Sequence, residues 1–326
     1  MRRREFLGVI GGLALTRPAN AQQSRPTRAV GILSGMTNEE QGQVYVKTLR
    51  ERLTALGWTE GRDLRIEYRW GAGNRRNIQE QATEIVKSRP DVIVAITTPA
   101  VAALRQQTRD IPVVFTNMSD PVDGGYVRSI ARPGGNITGF TSFEYTIGGK
   151  WVELLKEAAP GLARVLVLYN SDNYTSRALL ENIQSSVPKI GVQVTAASVQ
   201  DAAEIEAAIT AFAKEGGGGI VLLPDPVIQA SPRSIIELAS KFRLPSIHQF
   251  RGYPHAGGFM SYGTDFPDLY RRAADYVDRI LKGAVVGELP VQNPLKYELV
   301  VNLKVAKVIG IEVPGTFLFR ADEVIE

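Results

Sequence analysis

Polar side chains that directly follow short apolar runs are the residues best suited to bind a small charged molecule. Residues 91–100 show this most clearly, because Val92–Ile96 is an unbroken apolar run and Thr97 and Thr98 follow it. Such a run is typical of a strand buried on both faces of a parallel sheet. Pro99 then begins a helix-like segment. Two hydroxyls and a positive helix N-terminus are expected at one place, where a carboxylate could bind, although an ordinary helix cap gives the same pattern.

The same arrangement follows most of the other predicted strands. The residues predicted to bind a ligand are Ser34, Thr97, Thr98, Ser119, Asp120, Asn170, Asn173, Asp225, Tyr262 and Asp265. Ligands of open parallel sheets bind beyond the carboxyl ends of the strands, so two facing sheets would bring these groups into one cleft. The alternative for each carboxylate is an Asx turn or a helix cap.

Their chemistry suits a zwitterion. Hydroxyls and amides could bind a carboxylate, acidic side chains could bind an ammonium group, and aromatic rings could contact an apolar side chain. Aromatic residues near the predicted strand ends are Phe143, Tyr145, Tyr169, Tyr174, Phe250, Tyr253 and Tyr262. The alternative for each ring is packing in the core or in a hinge.

Residue patterns for catalysis or metal binding are not found in the sequence. The two histidines, His248 and His255, have no second histidine or cysteine at metal-ligand spacing, and the chain has no cysteine. There is no Gly-x-Ser-x-Gly motif. The glycines at 216–219 precede a predicted strand, which is the wrong edge of the sheet for a phosphate loop. We therefore expect a binding protein without catalytic residues, cofactor or metal, rather than an enzyme.

The N-terminus is typical of an export signal. Residues 1–21 contain an arginine-rich start, a short apolar stretch at 6–15 and a small-residue cleavage site ending at Ala21. Arg3 and Arg4, followed by Phe6 and Leu7, favour a twin-arginine signal, whereas an ordinary secretory signal would lead to the same compartment. The apolar stretch is too short to span a membrane. The sequence predicts cleavage near Ala21, a linker at 22–27 and a periplasmic protein.

Charge excludes nucleic acid as an expected partner. The whole chain has 38 basic and 34 acidic residues, but without the predicted signal these numbers are 34 and 33. The basic excess thus belongs mainly to the signal, and no concentrated basic patch remains. The remaining chain of roughly 305 residues exceeds a typical single domain, which predicts two lobes.

The same order of predicted strands and helices occurs twice in the chain. The first series comprises 29–33, 38–56, 64–70, 78–87, 92–96, 100–107 and 113–115. The second comprises 165–169, 175–187, 193–197, 202–214, 220–223, 232–242 and 246–248. Strands that begin at Val30, Val92 and Val113 are followed 135, 128 and 133 residues later by strands at Val165, Ile220 and Ser246. This spacing predicts two copies of one βαβ lobe.

The C-terminal part has too few predicted elements for a third lobe. It contains a strand at 258–262, an amphipathic helix at 269–281, a strand at 298–302 and a helix at 303–309. We expect this part to cross back and complete both lobes.

The export signal, the two repeated α/β lobes and the C-terminal part together resemble the type I periplasmic substrate-binding proteins of ABC transporters. A narrower resemblance depends on six stretches, at 119–122, 131–139, 269–274, 279–283, 297–304 and 320–325. These are similar to the tryptophan/tyrosine-uptake type of solute-binding protein.

The resemblance implies an α/β fold with two Rossmann-like lobes, whose parallel sheets are joined by a three-segment hinge near 140–143, 250–254 and 288–294. Lobe 1 would contain 28–141 and about 255–288, and lobe 2 would contain 142–251 and about 292–326. It implies a monomer that captures a small molecule, such as an amino acid or aromatic carboxylate, and delivers it to an ABC permease. A periplasmic module that presents its ligand to a membrane receptor and an exported enzyme on the same fold are the alternatives.

Overall fold

The computed structural model describes residues 27–36, 40–72 and 74–326. The predicted signal peptide, its cleavage site and all but the last residue of the predicted linker lie outside these residues. The first half of the chain forms β1 (Arg28–Ser34), α1 (Glu40–Ala55), β2 (Leu64–Trp70), α2 (Arg75–Lys87), β3 (Val92–Ile96), α3 (Thr98–Gln107), β4 (Val113–Met118) and β5 (Ile137–Thr141).

The second half repeats the pattern and adds a C-terminal extension. Its elements are α4 (Ile147–Ala158), β6 (Arg164–Tyr169), α5 (Tyr174–Ser186), β7 (Gln193–Ser198), α6 (Ala202–Ala213), β8 (Gly218–Leu222), α7 (Pro226–Gln229), α8 (Pro232–Lys241), β9 (Ser246–His248), α9 (Gly252–His255) and β10 (Met260–Thr264). The extension contains α10 (Phe266–Leu281), β11 (Tyr297–Asn302), α11 (Leu303–Ile309), α12 (Gly315–Leu318) and β12 (Glu323–Ile325).

Each lobe contains one sheet, and the two sheets have an order of five strands in common. The first sheet has the order β2-β1-β3-β4-β5 and is parallel throughout. The second has the order β12-β11-β10-β9-β8-β6-β7, and its only antiparallel pair among the described strands is β10 with β11. The stretch β7-β6-β8-β9-β10 therefore reproduces the order of the first sheet, which confirms the predicted repeat.

Helices on both faces explain the continuous apolar run of β3. Val92, Val94 and Ile96 pack into a cluster with α1 and α10, whereas Ile93 and Ala95 pack into a second cluster with α2 and α3. Successive side chains of a strand point to opposite faces, so a strand covered on both sides needs an apolar residue at every position.

The fifth strands, β5 and β10, mark where the chain leaves each lobe. After β5 the chain enters α4, which packs in the core of the second sheet. After β10 it enters α10, which packs against α1 and the first sheet. Each lobe is thus completed by a helix that follows the other lobe's fifth strand. Lobe 1 hereafter means β1–β5 with α1–α3 and α10, and lobe 2 means β6–β12 with α4–α9, α11 and α12.

This arrangement corrects the predicted second crossing. The prediction placed the crossing at 250–254 and assigned residues from about 255 to lobe 1. Instead, β10 pairs with β9 and β11 in the second sheet, so the chain crosses between Thr264 and Phe266. No element was predicted for 137–158, so the fifth strand of the first sheet, which shows where a crossing falls, was absent from the prediction.

The crossing segments bond to one another side by side. The Thr141 hydroxyl donates to Asn293 Oδ1 at 2.8 Å, and Asn293 Nδ2 donates to Glu144 Oε1 at 2.5 Å. The Lys296 ammonium pairs with Asp265 Oδ2 at 3.3 Å. These contacts join all three crossings at one hinge. In the described part of the chain, no helix has both the length and the apolar character needed to cross a membrane.

Candidate ligand-binding cleft

Backbone strain is concentrated at the carboxyl edge of the first sheet. Four of the non-glycine residues with positive φ lie there, after β2 and β3 and around the end of β4: Ala72 (52°), Thr97 (84°), Asn117 (53°) and Asp120 (128°). Positive φ at such residues costs of the order of 1–3 kcal/mol each and clusters at functional sites. Sequence patterns carry no signal of this strain, because it is imposed by tertiary packing.

Thr97 and its neighbours form the β1–β3 corner of this edge. The Thr97 hydroxyl is buried and has no hydrogen-bond partner within the described residues. It fits because residue 35 is glycine, where a Cβ would lie 2.2 Å from Thr97 Oγ1. The side chain does not cap α3, contrary to the prediction, because the extended ψ of 151° and positive φ direct it elsewhere. Ser34 is buried and accepts from Met36 N at 3.1 Å, and Thr98 is exposed in the first turn of α3.

Asp120 follows β4 and is half-buried beside Ser119. One carboxylate oxygen accepts from the backbone N–H of Asp123 at 3.1 Å. The other accepts from the hydroxyl of Tyr145, which belongs to lobe 2, at 3.4 Å. Among the ion pairs of the described residues, none involves Asp120. Its carboxylate therefore stands at the lobe boundary with hydrogen-bond donors but no cation.

The matching group in lobe 2 is the pair Asn173 and Asp225. Asn173 caps α5 and also donates from Nδ2 to Asp225 Oδ2 at 3.0 Å. Asp225 caps α7 through Val227 N at 2.9 Å and is only 1% exposed. Asn170 forms an Asx turn with Asp172 N at 2.9 Å. These residues therefore form the helix caps and the Asx turn that were the alternatives to ligand binding. The carboxylate of Asp225, like that of Asp120, nevertheless has no ion pair within the described ranges.

Tyr262 and Asp265 lie outside this group of contacts. Asp265 is buried, caps α10 through Asp268 N at 2.9 Å, and pairs with Lys296 at the hinge. The ring of Tyr262 stacks on Tyr297 with centroids 5.5 Å apart. Burial raises the pKa of Tyr262, and the nearby guanidinium of Arg320 acts in the opposite direction. Tyr262 thus faces the C-terminal extension.

The residue that sequence reasoning missed is Tyr145, which it counted only as an aromatic ring. The Tyr145 hydroxyl donates to Asp120 Oδ2 at 3.4 Å across the lobe boundary. Burial, followed by the charge of Asp120, raises the pKa of Tyr145, so this hydroxyl stays protonated and donates to Asp120. A tyrosine just after a chain crossing can be recognised as a residue between the lobes only when the position of the crossing is known.

Taken together, Tyr145 joins lobe 2 to Asp120 of lobe 1, and Asn173 and Asp225 lie at the carboxyl ends of strands in lobe 2. Two carboxylates without ion pairs, hydroxyls and a helix N-terminus can bind a small molecule that carries both an ammonium and a carboxylate group. In residues 27–36, 40–72 and 74–326, no three histidine or acidic side chains are arranged to hold a metal ion.

Comparison with known proteins gives the same fold and function class. A family model described as ABC transporter substrate binding protein matches residues 36–325. A tyrosine-binding protein of Clostridioides difficile (strain R20291) is 26% identical over 269 residues, which cover 82% of this chain and 76% of that protein. The chain is therefore similar to a substrate-binding protein along most of its length.

Solved structures share the two-lobed architecture. A conserved domain protein from Vibrio cholerae O1 biovar El Tor superposes with a TM-score of 0.82 at 30% identity, covering 91% of this chain and 99% of that one. An ABC domain from Streptococcus pneumoniae in complex with L-Trp gives 0.82 at 24% identity, covering 92% and 100%. An Agrobacterium vitis solute-binding protein with bound allitol gives 0.63 at 16% identity, covering 87% and 99%. The predicted type I periplasmic binding protein fold is confirmed.

The family match also confirms the predicted function, capture of a substrate for ABC transport, over the alternatives of a sensor or an enzyme. Substrate-binding proteins of ABC transporters act outside the cytoplasm. Because the family model matches all but the ends of the chain, this protein belongs to the ABC transporter substrate-binding proteins.

Proposed function

We propose that this protein binds an aromatic L-amino acid between its lobes and delivers it to an ABC permease. The observation that carries this proposal is the pair of carboxylates, Asp120 and Asp225, which have no ion pair within the described residues and follow strands of the two lobes, with Tyr145 of lobe 2 donating to Asp120. The similarity to a tyrosine-binding protein and to a protein in complex with L-Trp supports an aromatic side chain.

Each end of the ligand has complementary groups in this arrangement. Asp120 and Asp225 would bind the ammonium group. Thr97, Thr98 and the N-terminus of the ten-residue helix α3 would bind the carboxylate. The remaining predicted residues, which would complete the polar lining of the cleft or its hinge, are Ser34, Ser119, Asn170, Asn173, Tyr262 and Asp265.

The energetics favour a ligand with a large apolar side chain. A micromolar dissociation constant needs about −8 kcal/mol. A carboxylate at a helix N-terminus contributes at most about 2 kcal/mol. Burial of an aromatic side chain removes about 150–250 Å² from water, which is worth about 4–6 kcal/mol before the costs of association. An aromatic ring can therefore supply the larger share of the affinity.

We also propose that residues 1–21 are a twin-arginine signal peptide, that cleavage near Ala21 releases a periplasmic monomer, and that the protein has no enzymatic activity. The basic residues before a short apolar stretch support export. Replacing Arg3 and Arg4 by Lys should keep the precursor uncleaved if the twin-arginine route is used. Normal cleavage and periplasmic recovery of that variant would favour the ordinary secretory route.

The central test is ligand binding by the mature chain, residues 22–326. L-Tyrosine or L-tryptophan at about 100 times its dissociation constant should add about 2.7 kcal/mol to the free energy of unfolding. Allitol is the control, since a protein of the same fold binds it. Stabilisation by allitol but by neither amino acid would contradict the proposed ligand class.

A further inference from the structure

The hydroxyl group of Tyr145 lies between the two lobes. It donates to Asp120 Oδ2 in lobe 1 at 3.4 Å. Tyr145 itself packs in the core of lobe 2, with its ring centroid 6.4 Å from that of Phe143. This one side chain is therefore held by lobe 2 and bonded to a carboxylate of lobe 1.

On the lobe 1 side, the orientation of the Asp120 carboxylate is already fixed. Its backbone has a φ of 128°, and its Oδ1 accepts from the N–H of Asp123 at 3.1 Å. Two carboxylate oxygens offer about four acceptor sites, so these two hydrogen bonds leave room for a third donor. A ligand ammonium group at Asp120 would therefore bind beside the Tyr145 hydroxyl rather than in its place.

On the lobe 2 side, the second carboxylate is held within its own lobe. Asn173 caps α5 and donates from Nδ2 to Asp225 Oδ2 at 3.0 Å, and Asp225 Oδ1 accepts from Val227 N at 2.9 Å. Tyr145, by contrast, reaches from lobe 2 to Asp120 of lobe 1.

We propose that Tyr145 is an interlobe latch, meaning that its hydroxyl holds lobe 2 against Asp120 of lobe 1 and stabilises the closed arrangement of the lobes. The same contact couples closure to the capture of an ammonium group, because both act on one carboxylate. The coupling to a ligand rests on the proposed function, whereas the latch does not. Removing the hydroxyl should open the lobes and speed the release of the ligand.

The latch is testable without any ligand. The chain contains no cysteine, so spin labels can be placed through Arg76→Cys in α2 and Ala203→Cys in α6, both of which are exposed and lie on different lobes. Tyr145→Phe in the mature protein should populate a longer distance between the labels. Tyr169→Phe is the matched control, since Tyr169 is also half-buried against the lobe 2 core. An unchanged distance distribution for Tyr145→Phe would overturn the latch.

The coupling is tested with L-tyrosine by calorimetry and stopped-flow kinetics. Tyr145→Phe should weaken binding about tenfold, with most of the change in the dissociation rate. The loss in the double variant Tyr145→Phe/Asp120→Asn should be smaller than the sum of the two single losses, because both substitutions remove the same contact. Additive losses would overturn the coupling. Absence of binding by the unmodified protein would contradict the proposed ligand, and the label distances would still decide the latch.

Discussion

The loss of affinity caused by Asp120→Asn should depend on whether the ligand carries an ammonium group. We expect it to weaken binding of L-tyrosine by about 10- to 100-fold, because one charge-assisted contact is lost. Binding of 3-(4-hydroxyphenyl)propanoate, which has the same ring and carboxylate but no ammonium group, should be weakened less, because with that ligand only the contact between the Tyr145 hydroxyl and Asp120 Oδ2 is lost. The ratio of the two affinities is therefore the quantity to measure, by titration calorimetry of both ligands on both proteins.

The magnitude follows from the surroundings of the carboxylate. Asp120 is half-buried and has no ion pair among the described residues, so a ligand cation would be its charge partner. Two unit charges 4 Å apart attract by about 4 kcal/mol at an effective dielectric constant of 20. Part of this is offset by desolvation, and hydrogen bonds to charged groups contribute about 1.5–3 kcal/mol net. A loss of 1.4 kcal/mol corresponds to about tenfold in affinity.

The substitution is chosen to keep the fold. Asparagine has the shape of aspartate, tolerates positive φ comparably, and can still accept from the N–H of Asp123 through its amide oxygen. Asp172→Asn is the control, because Asp172 is an exposed carboxylate that accepts from Gln200 Nε2 at 3.2 Å. It should change neither affinity. Equal losses for both ligands at Asp120→Asn, or no loss for either, would refute the assignment of the ammonium group to Asp120.

Three further predictions concern stability, measured by urea unfolding. Gly263→Ala would put a Cβ 1.8 Å from a backbone oxygen and should cost about 3 kcal/mol, whereas Gly161→Ala, with open space around it, should be nearly neutral. Burial lowers the pKa of His248 from 6.5 to about 3. Between these pH values the unfolded chain therefore binds more protons than the folded protein, and the free energy of unfolding falls as the pH falls. From pH 7 to pH 5 the unmodified protein should lose about 2 kcal/mol more of this free energy than the variant His248→Gln. Trp58→Phe removes the indole N–H that donates to the buried carboxylate of Asp278 at 2.9 Å, and it should lower the free energy of unfolding by about 1–3 kcal/mol.

Local patterns predicted most of the regular elements because their hydrophobic periodicity is strong. The strand Val92–Ile96 and the helix Leu303–Ile309 have the predicted bounds. Most of the elements that were missed are short, such as β12 and α7. The helix α4 was missed although its apolar face is well defined, with Trp151 and Leu155 buried in the core of lobe 2.

The predicted binding residues divide in the same way. Asp120, Asn173 and Asp225 were predicted from their positions after strands, and in the structure Asp120 contacts Tyr145 of lobe 2 while Asn173 contacts Asp225. Tyr262 and Asp265 were predicted by the same rule and lie apart, because β10 is a crossing strand whose carboxyl end enters the hinge. The rule identifies an edge of a sheet but does not show which side chains at that edge face the other lobe.

By itself, the sequence determined the α/β class, the twofold repeat of strands and helices, and the polar character of the strand ends, since each depends on residues close together in the chain. Only the tertiary structure decided which lobe each crossing element completes, the strain at Thr97 and Asp120, and the contact between Asp120 and Tyr145. These features depend on packing between segments that are distant in sequence. Each of the helices α4 and α10 completes the other lobe because of how the fifth strands pair, and no local sequence pattern predicts that pairing.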